Sequence, residues 1–234
     1  MINPLATIAV FTFVFKVLLT ALPPIGDPSG VDSFALYLLS GLIPWNFYSL
    51  VTGMGLGAML GNPTLVRKVH FQREILVFSQ VSFAFVQFMI EMAIVIVVVA
   101  IFGGPWVFWR IPEAMVLMLV LTVFGCGIAL VLSVAAVYFR DLNYLWTIVL
   151  QLSFYATPVV YSDELLKENI GEPWLTILQS NPLAIFVRSF RHLLYDGRSV
   201  PMSTTIQAVL WAMISLTIGL VVFGRLQRRL AEEV

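Results

Sequence analysis

The chain has 234 residues, 60% of them apolar and 11% charged, with a mean hydropathy of +0.95 and a formal net charge of zero. Soluble domains run at about 45–50% apolar and about 25% charged, so both figures argue against an ordinary soluble domain and for a single bundle of membrane-spanning helices. The zero balance decides nothing by itself; the placement of the charges does. The single cysteine, Cys126, lies in an apolar run, excludes a disulfide framework and reads as a small buried hydrophobe.

A hydrocarbon core of about 30 Å takes about 20 helical residues. Six stretches meet that length: 4–22, 34–60, 79–102, 114–137, 144–161 and 205–224. The first is longer than the apolar core of a signal peptide, and Ala21-Leu22-Pro23-Pro24 is a poor cleavage site; it reads as a span. Lys16 lies within it, about two turns from its outer end, where it can snorkel or serve function. Pro23-Pro24 and Gly26-Asp27-Pro28 end the run with turn chemistry.

The second stretch carries Trp45, Phe47 and Tyr48, and then Gly53-x-Gly55-x-Gly57, where small residues let helices approach closely or let the helix yield. After it comes Asn62 to Leu76, NPTLVRKVHFQREIL, with five titratable side chains between Arg67 and Glu74. Asn62 can cap and Pro63 can start a short helix. Leu65, Val69 and Phe71 offer an apolar anchor, and Arg67, Lys68 and Arg73 a charged rim. A plain cytoplasmic loop is the competing reading. In the third stretch Glu91 sits near mid-span, where an ionisable group is costly; it points to a buried polar pairing or to the substrate path.

Gly103-Gly104-Pro105 closes the third stretch, and Asp141 to Asn143 separates the fourth from the fifth. Arg140-Asp141 suits the end of one helix and the cap of the next, with an inner gate as the alternative. Phe154, Tyr155 and Tyr161 form a second aromatic cluster near the outer end of the fifth stretch. Both clusters fit interfacial girdles, or rings that line a channel and stack on sugars. Between the fifth and sixth stretches, Ser162-Asp163-Glu164 and Asn181-Pro182 are helix starts, and Gly197 a helix stop. Leu183, Phe186, Phe190 and Leu193 share one face, with Arg188, Arg191 and His192 off it. Two short amphipathic helices on or in the outer leaflet are expected there.

With the amino terminus inside, the inner loops hold Arg67, Lys68, Arg73, Arg140, Arg225, Arg228 and Arg229, while the first two outer loops hold Arg110. The positive-inside rule then puts both termini in the cytoplasm. The outer segment 162–204, with Lys167, Arg188, Arg191 and Arg198, weakens this bias without reversing it.

Five segments, in order, resemble the permease subunits of type-2 ABC transporters that export O-antigen, capsular polymers and teichoic acids: "LLSGLIPWNFYS" (38–49), "NPTLVRKVHFQREIL" (62–76), "VYFRDLNYLW" (137–146), "LQLSFYATPVVYS" (150–162) and "SNPLAIFVRSFRHLLYDG" (180–197). The resemblance implies one all-α membrane domain over 1–234, with six spans and two outer re-entrant or interfacial helices. It implies a homodimer among membrane lipids of the cytoplasmic membrane, enclosing a channel for a lipid-linked glycan. It makes Leu65, Val66, Arg67, Lys68, Val69, His70, Phe71 and Arg73 a coupling helix for a separate ABC subunit that holds ATP and Mg. No G-x-x-x-x-G-K-[ST] loop occurs in the chain, so no cofactor is expected in it, and no nucleic-acid partner. Two departures stand out. The chain reads Phe71-Gln72-Arg73 where relatives usually have Phe-Pro-Arg, and its first span starts three residues after Met1, so the family's amphipathic amino-terminal interface helix is expected to be absent. A permease for a small lipid or drug is the alternative within the family. A membrane-embedded glycosyl or phosphoryl transferase is remote, since the acids are scattered and His70 and His192 fall on opposite sides.

Overall fold

A computed structural model describes residues 25–61, 72–139, 141–161 and 180–227. Among them every regular element is helical: α1 (Phe34–Leu60), α2 (Glu74–Phe102), a 3-10 turn (Pro105–Arg110), α3 (Ile111–Tyr138), α4 (Leu142–Tyr155), α5 (Pro182–Arg191), a π turn (His192–Asp196) and α6 (Met202–Leu226). Four stretches among the described residues are long and apolar enough to cross a membrane: Phe34–Leu60, Glu74–Phe102, Pro105–Tyr138 and Met202–Leu226. The first expected span, 4–22, and the first expected outer helix, after Ser162, lie outside the described residues.

Taking the helices themselves, the expected start of the third span and the expected end of the fifth move by five residues or more. The third span starts earlier, at Glu74, because the Gln72 and Arg73 carbonyls already accept from the amides of Ile75 and Leu76, at 3.0 and 3.1 Å. The fifth is shorter: α4 has 14 residues, about 21 Å at 1.5 Å per residue. Pro158 explains the early stop, since proline disfavours helical backbone in the residue before it and has no amide to donate. The chain turns there, with the Val159 amide on the Thr157 carbonyl at 2.7 Å.

The described residues divide into two compact units, one of residues up to Trp45, Met89–Met118 and Phe154–Gln207, the other of Asn46–Phe88, Leu119–Ser153 and residues from Ala208 on. In the first, polar and aromatic contacts tie turns to helices. Asn181 caps α5, its Oδ1 accepting from the Leu183 amide at 3.0 Å, and its Nδ2 donates to Thr157 Oγ1 at 3.1 Å. Eight of the ten residues of α5 are buried, so of the two placements expected for it, on the outer leaflet or dipping in, the helix is packed into protein rather than laid along a surface. Gly197, at φ 74°, ends the π turn in the left-handed region, and a Cβ there would meet the Trp106 ring at 3.1 Å. The Arg110 guanidinium donates to the Gly197 carbonyl at 2.9 Å.

The second unit is built from close helix contacts. A Cβ on Gly127 would collide with the main chain of Ser215 and Leu216, and one on Gly219 with the Gly127 carbonyl, so α3 and α6 touch backbone to backbone. Added at Gly55, a Cβ would come within 2.6 Å of Ala129 Cβ, bringing α1 against α3 in the same way. Such small-residue contacts let helices associate where lipid removes the usual hydrophobic drive. Ser215 Oγ donates to the Phe124 carbonyl at 2.8 Å across the α3–α6 seam.

Candidate functional site

No residue of α4 is buried. At roughly 100° per residue, its partly buried positions, Leu142, Trp146, Leu150, Ser153 and Phe154, lie on one side. Leu142 and Trp146 pack on Leu56, Leu132 and Ala136, and Trp146 Nε1 donates to Thr52 Oγ1 at 3.2 Å. The opposite face carries Tyr144, Ile148 and Gln151, all exposed, and Tyr155 continues the row at the helix end. Tyr144 is 71% and Tyr155 67% exposed. The row runs about 16 Å along the helix. One flank, Leu145, Val149 and Leu152, is exposed and wholly apolar. An exposed face that alternates phenol, alkyl and amide beside a purely apolar flank suits a boundary between a hydrated path and lipid. Phenols and amides can hydrogen-bond sugar hydroxyls while the rings stack on sugar faces.

The other expected channel rings have different surroundings. Phe47 is buried and stacks on Phe88 at 4.3 Å and 12°. Tyr48 is buried and stacks on Phe124 at 6.0 Å. These two serve the core of the second unit rather than an open surface. In the first unit Trp45 meets Phe154 edge-on at 5.4 Å, and Phe154 meets Tyr155 edge-on at 5.6 Å. The Tyr161 hydroxyl donates to the Tyr155 carbonyl at 2.7 Å, and the Tyr37 hydroxyl to the Tyr161 carbonyl at 3.0 Å. Tyr155 alone of the six expected rings is largely exposed; Tyr144 and Gln151 were not singled out from sequence. Their helical spacing from Tyr155, beside the apolar flank of Leu145, Val149 and Leu152, was the available signal.

Of the expected coupling segment, Leu65, Val66, Arg67, Lys68, Val69, His70 and Phe71 lie outside the described residues, as do Lys16 and Arg140. Arg73 is described, and its Nη1 donates to the Gln227 carbonyl at 2.5 Å, at the carboxyl end of α6 where a cation is favoured. Tyr138 Oη reaches the neighbouring Leu226 carbonyl at 3.3 Å. Asp141 is exposed, and its carbonyl accepts two amides of the first turn of α4, Tyr144 and Leu145, each at 3.1 Å. Glu91 is partly buried on α2.

Arg191 is the residue that sequence reasoning underrated. It was placed off the apolar face, yet it is 8% exposed. Its guanidinium lies 3.8 Å from the Tyr37 ring centroid, and Nη2 donates to the Val159 carbonyl at 3.0 Å. Gly41 makes room, since a Cβ there would stand 3.1 Å from Nη2. One cation thus joins α1, the turn after α4, and α5. Beside it, burial pushes the Tyr195 phenol above its usual range. Asp32 and Asp196 add to the rise, and a backbone hydrogen bond at Ser33 and the Arg191 charge oppose it.

Comparison with known proteins places these features in context. The ABC-2 type transporter family matches residues 1–195. Two proteins of Klebsiella pneumoniae, each described as O-antigen export system permease protein RfbA, are similar to this chain. One is 25% identical over 236 residues and the other 26% over 234, each match covering 98% of this chain and 84% of the relative. A Myxococcus xanthus protein of the same description is 25% identical over 197 residues, 84% of this chain and 72% of its own length.

Proposed function

Because the chain belongs to the ABC-2 type transporter family, we propose that it is the membrane subunit of an ATP-driven exporter of a lipid-linked polysaccharide of the O-antigen kind. It is a multi-pass membrane protein and a transport component. The relatives' O-antigen export role, matched over nearly the whole chain, supports the cargo class. The observation that carries the cargo path is the exposed Tyr144–Gln151–Tyr155 face of α4.

In this reading the chain has six spans, counting 4–22, with both termini in the cytoplasm of a bacterial inner membrane. Two copies enclose the path, each contributing its α4 face. ATP and Mg bind a separate ABC subunit, which engages the segment around Leu65 and Val69. ATP can shift the dimer between closed and open states only by its differential affinity for them, and the coupling segment conveys that difference. The chain's own groups supply a surface: rings for sugar faces, amide and phenol groups for hydroxyls, and no covalent chemistry.

The test is reconstitution of the permease with its ABC subunit in vesicles. Translocation of a fluorescent polyprenyl-diphosphate-linked glycan should require ATP. Translocation of a hydrophobic dye with no movement of the glycan would favour the small-lipid or drug reading, and glycan turnover by the permease alone would favour a transferase.

A further inference from the structure

In the first unit, α2 and α3 leave between them a groove of about 280 Å³, open on one side. Met89, Met92 and Ile96 of α2 face Ile111, Met115 and Met118 of α3 across it. The lining is almost entirely apolar. Water needs two to four polar partners to occupy a cavity, whereas an apolar cavity of about 150 Å³ takes up benzene. Dryness forfeits dispersion contacts along every wall. Hydrocarbon is the filler that satisfies both conditions, and α2 and α3 are stretches apolar enough to lie in it. Four methionines, unbranched and polarizable, suit a wall that conforms to a flexible chain.

The charge pattern says which hydrocarbon. From Ile111 to Met118 the groove runs about 10 Å along α3 with no charge in its lining. Directly before Ile111 stands Arg110, whose side chain is 28% exposed. It donates to Gly197 O and Ser199 Oγ and lies 3.6 Å from Glu113, contacts that hold the guanidinium at the groove's end. Trp109 beside it is 86% exposed, in the manner of a ring at the headgroup level. An uncharged channel ending at the Arg110–Glu113 ion pair complements an acyl chain ending in a headgroup that carries both a phosphate and an ammonium. We propose that this groove holds one acyl chain of a bilayer phospholipid, its phosphate level with Arg110. The site rests on reading α2 and α3 as spans; it is independent of the cargo.

The permease, with its ABC subunit, would be placed in nanodiscs of phosphatidylethanolamine and phosphatidylglycerol containing a phosphatidylethanolamine with a mid-chain diazirine. Irradiation and peptide mapping should show label on 89–97 and 111–118, several-fold above the lipid-exposed stretch 206–221 of α6. Ala93→Phe and Val97→Phe, which fill the groove from exposed lining positions, should each lower that label several-fold; Val86→Phe, exposed on α2 outside the groove, should not. Even labelling of all three helices, or label unchanged in both filled variants, would overturn the proposal. So would displacement by polyprenyl phosphate but not by unlabelled phospholipid, which would mark a carrier-lipid site. A disulfide between two copies through Met115→Cys, with the groove unlabelled, would assign it to a second copy.

Discussion

The two units solve the same problem, holding helices together in an apolar surrounding, with different chemistry. In the second unit α1, α3 and α6 approach through Gly55, Gly127 and Gly219 until main chain meets main chain. In the first, a buried guanidinium, an asparagine cap, a tyrosine hydroxyl and a left-handed glycine tie turns to helices. A glycine seam suits straight helices, because it needs no directional partner and tolerates no added atom. Directional bonds suit a region full of turns, where carbonyls freed from helix ladders must be satisfied one by one. The first unit should therefore fail by losing single partners, and the second by gaining single atoms.

The largest effect expected from this contrast is at Gly127. A leucine there meets backbone on α6, which cannot rotate away, so the cost should exceed the about 1–3 kcal/mol of ordinary overpacking. Size-exclusion chromatography in detergent should show little folded Gly127→Leu protein. Gly57, by contrast, has open space where a Cβ would go, and Gly57→Ala should elute as wild type. Equal behaviour of the two variants would remove the seam from the account.

Next in size is Arg191. Arg191→Met leaves the Val159 carbonyl without its donor and Tyr37 without its cation, at about 1–3 kcal/mol for the unsatisfied buried group. The unfolding midpoint should fall, and a double-mutant cycle with Tyr37→Leu should give a coupling of about 1 kcal/mol. Additive losses would mean that the stacking contributes nothing. Smaller still is Trp146→Phe, which keeps the packing on Leu56 and Leu132 but drops the bond to Thr52. A loss of about 0.5–1.5 kcal/mol is expected, with export retained.

The apolar runs were legible because length and composition alone identify them: α1, α2, α3 and α6 stand where four of the six stretches were read. Asn181-Pro182 and Gly197 were legible because caps are local chemistry. The end of α4 was misplaced because apolarity was followed through Pro158, where backbone sterics decide. Arg191 could not be placed, because Tyr37, Gly41 and Val159 come from distant parts of the chain and no periodicity links them. For the same reason, Phe47 and Tyr48 looked like channel rings until Phe88 and Phe124 were found stacked on them.

The central claim is that one face of α4 borders a hydrated sugar path while its flank borders lipid. In a Cys126→Ser background, single cysteines at 144, 148, 151, 155, 145, 149 and 152 would be treated with a water-soluble, membrane-impermeant thiol reagent in the assembled complex. The account predicts reaction at 144, 148, 151 and 155, slowed when the glycan substrate is loaded, and little reaction at 145, 149 and 152. Equal reaction on both rows, or reaction confined to 145, 149 and 152, would contradict it.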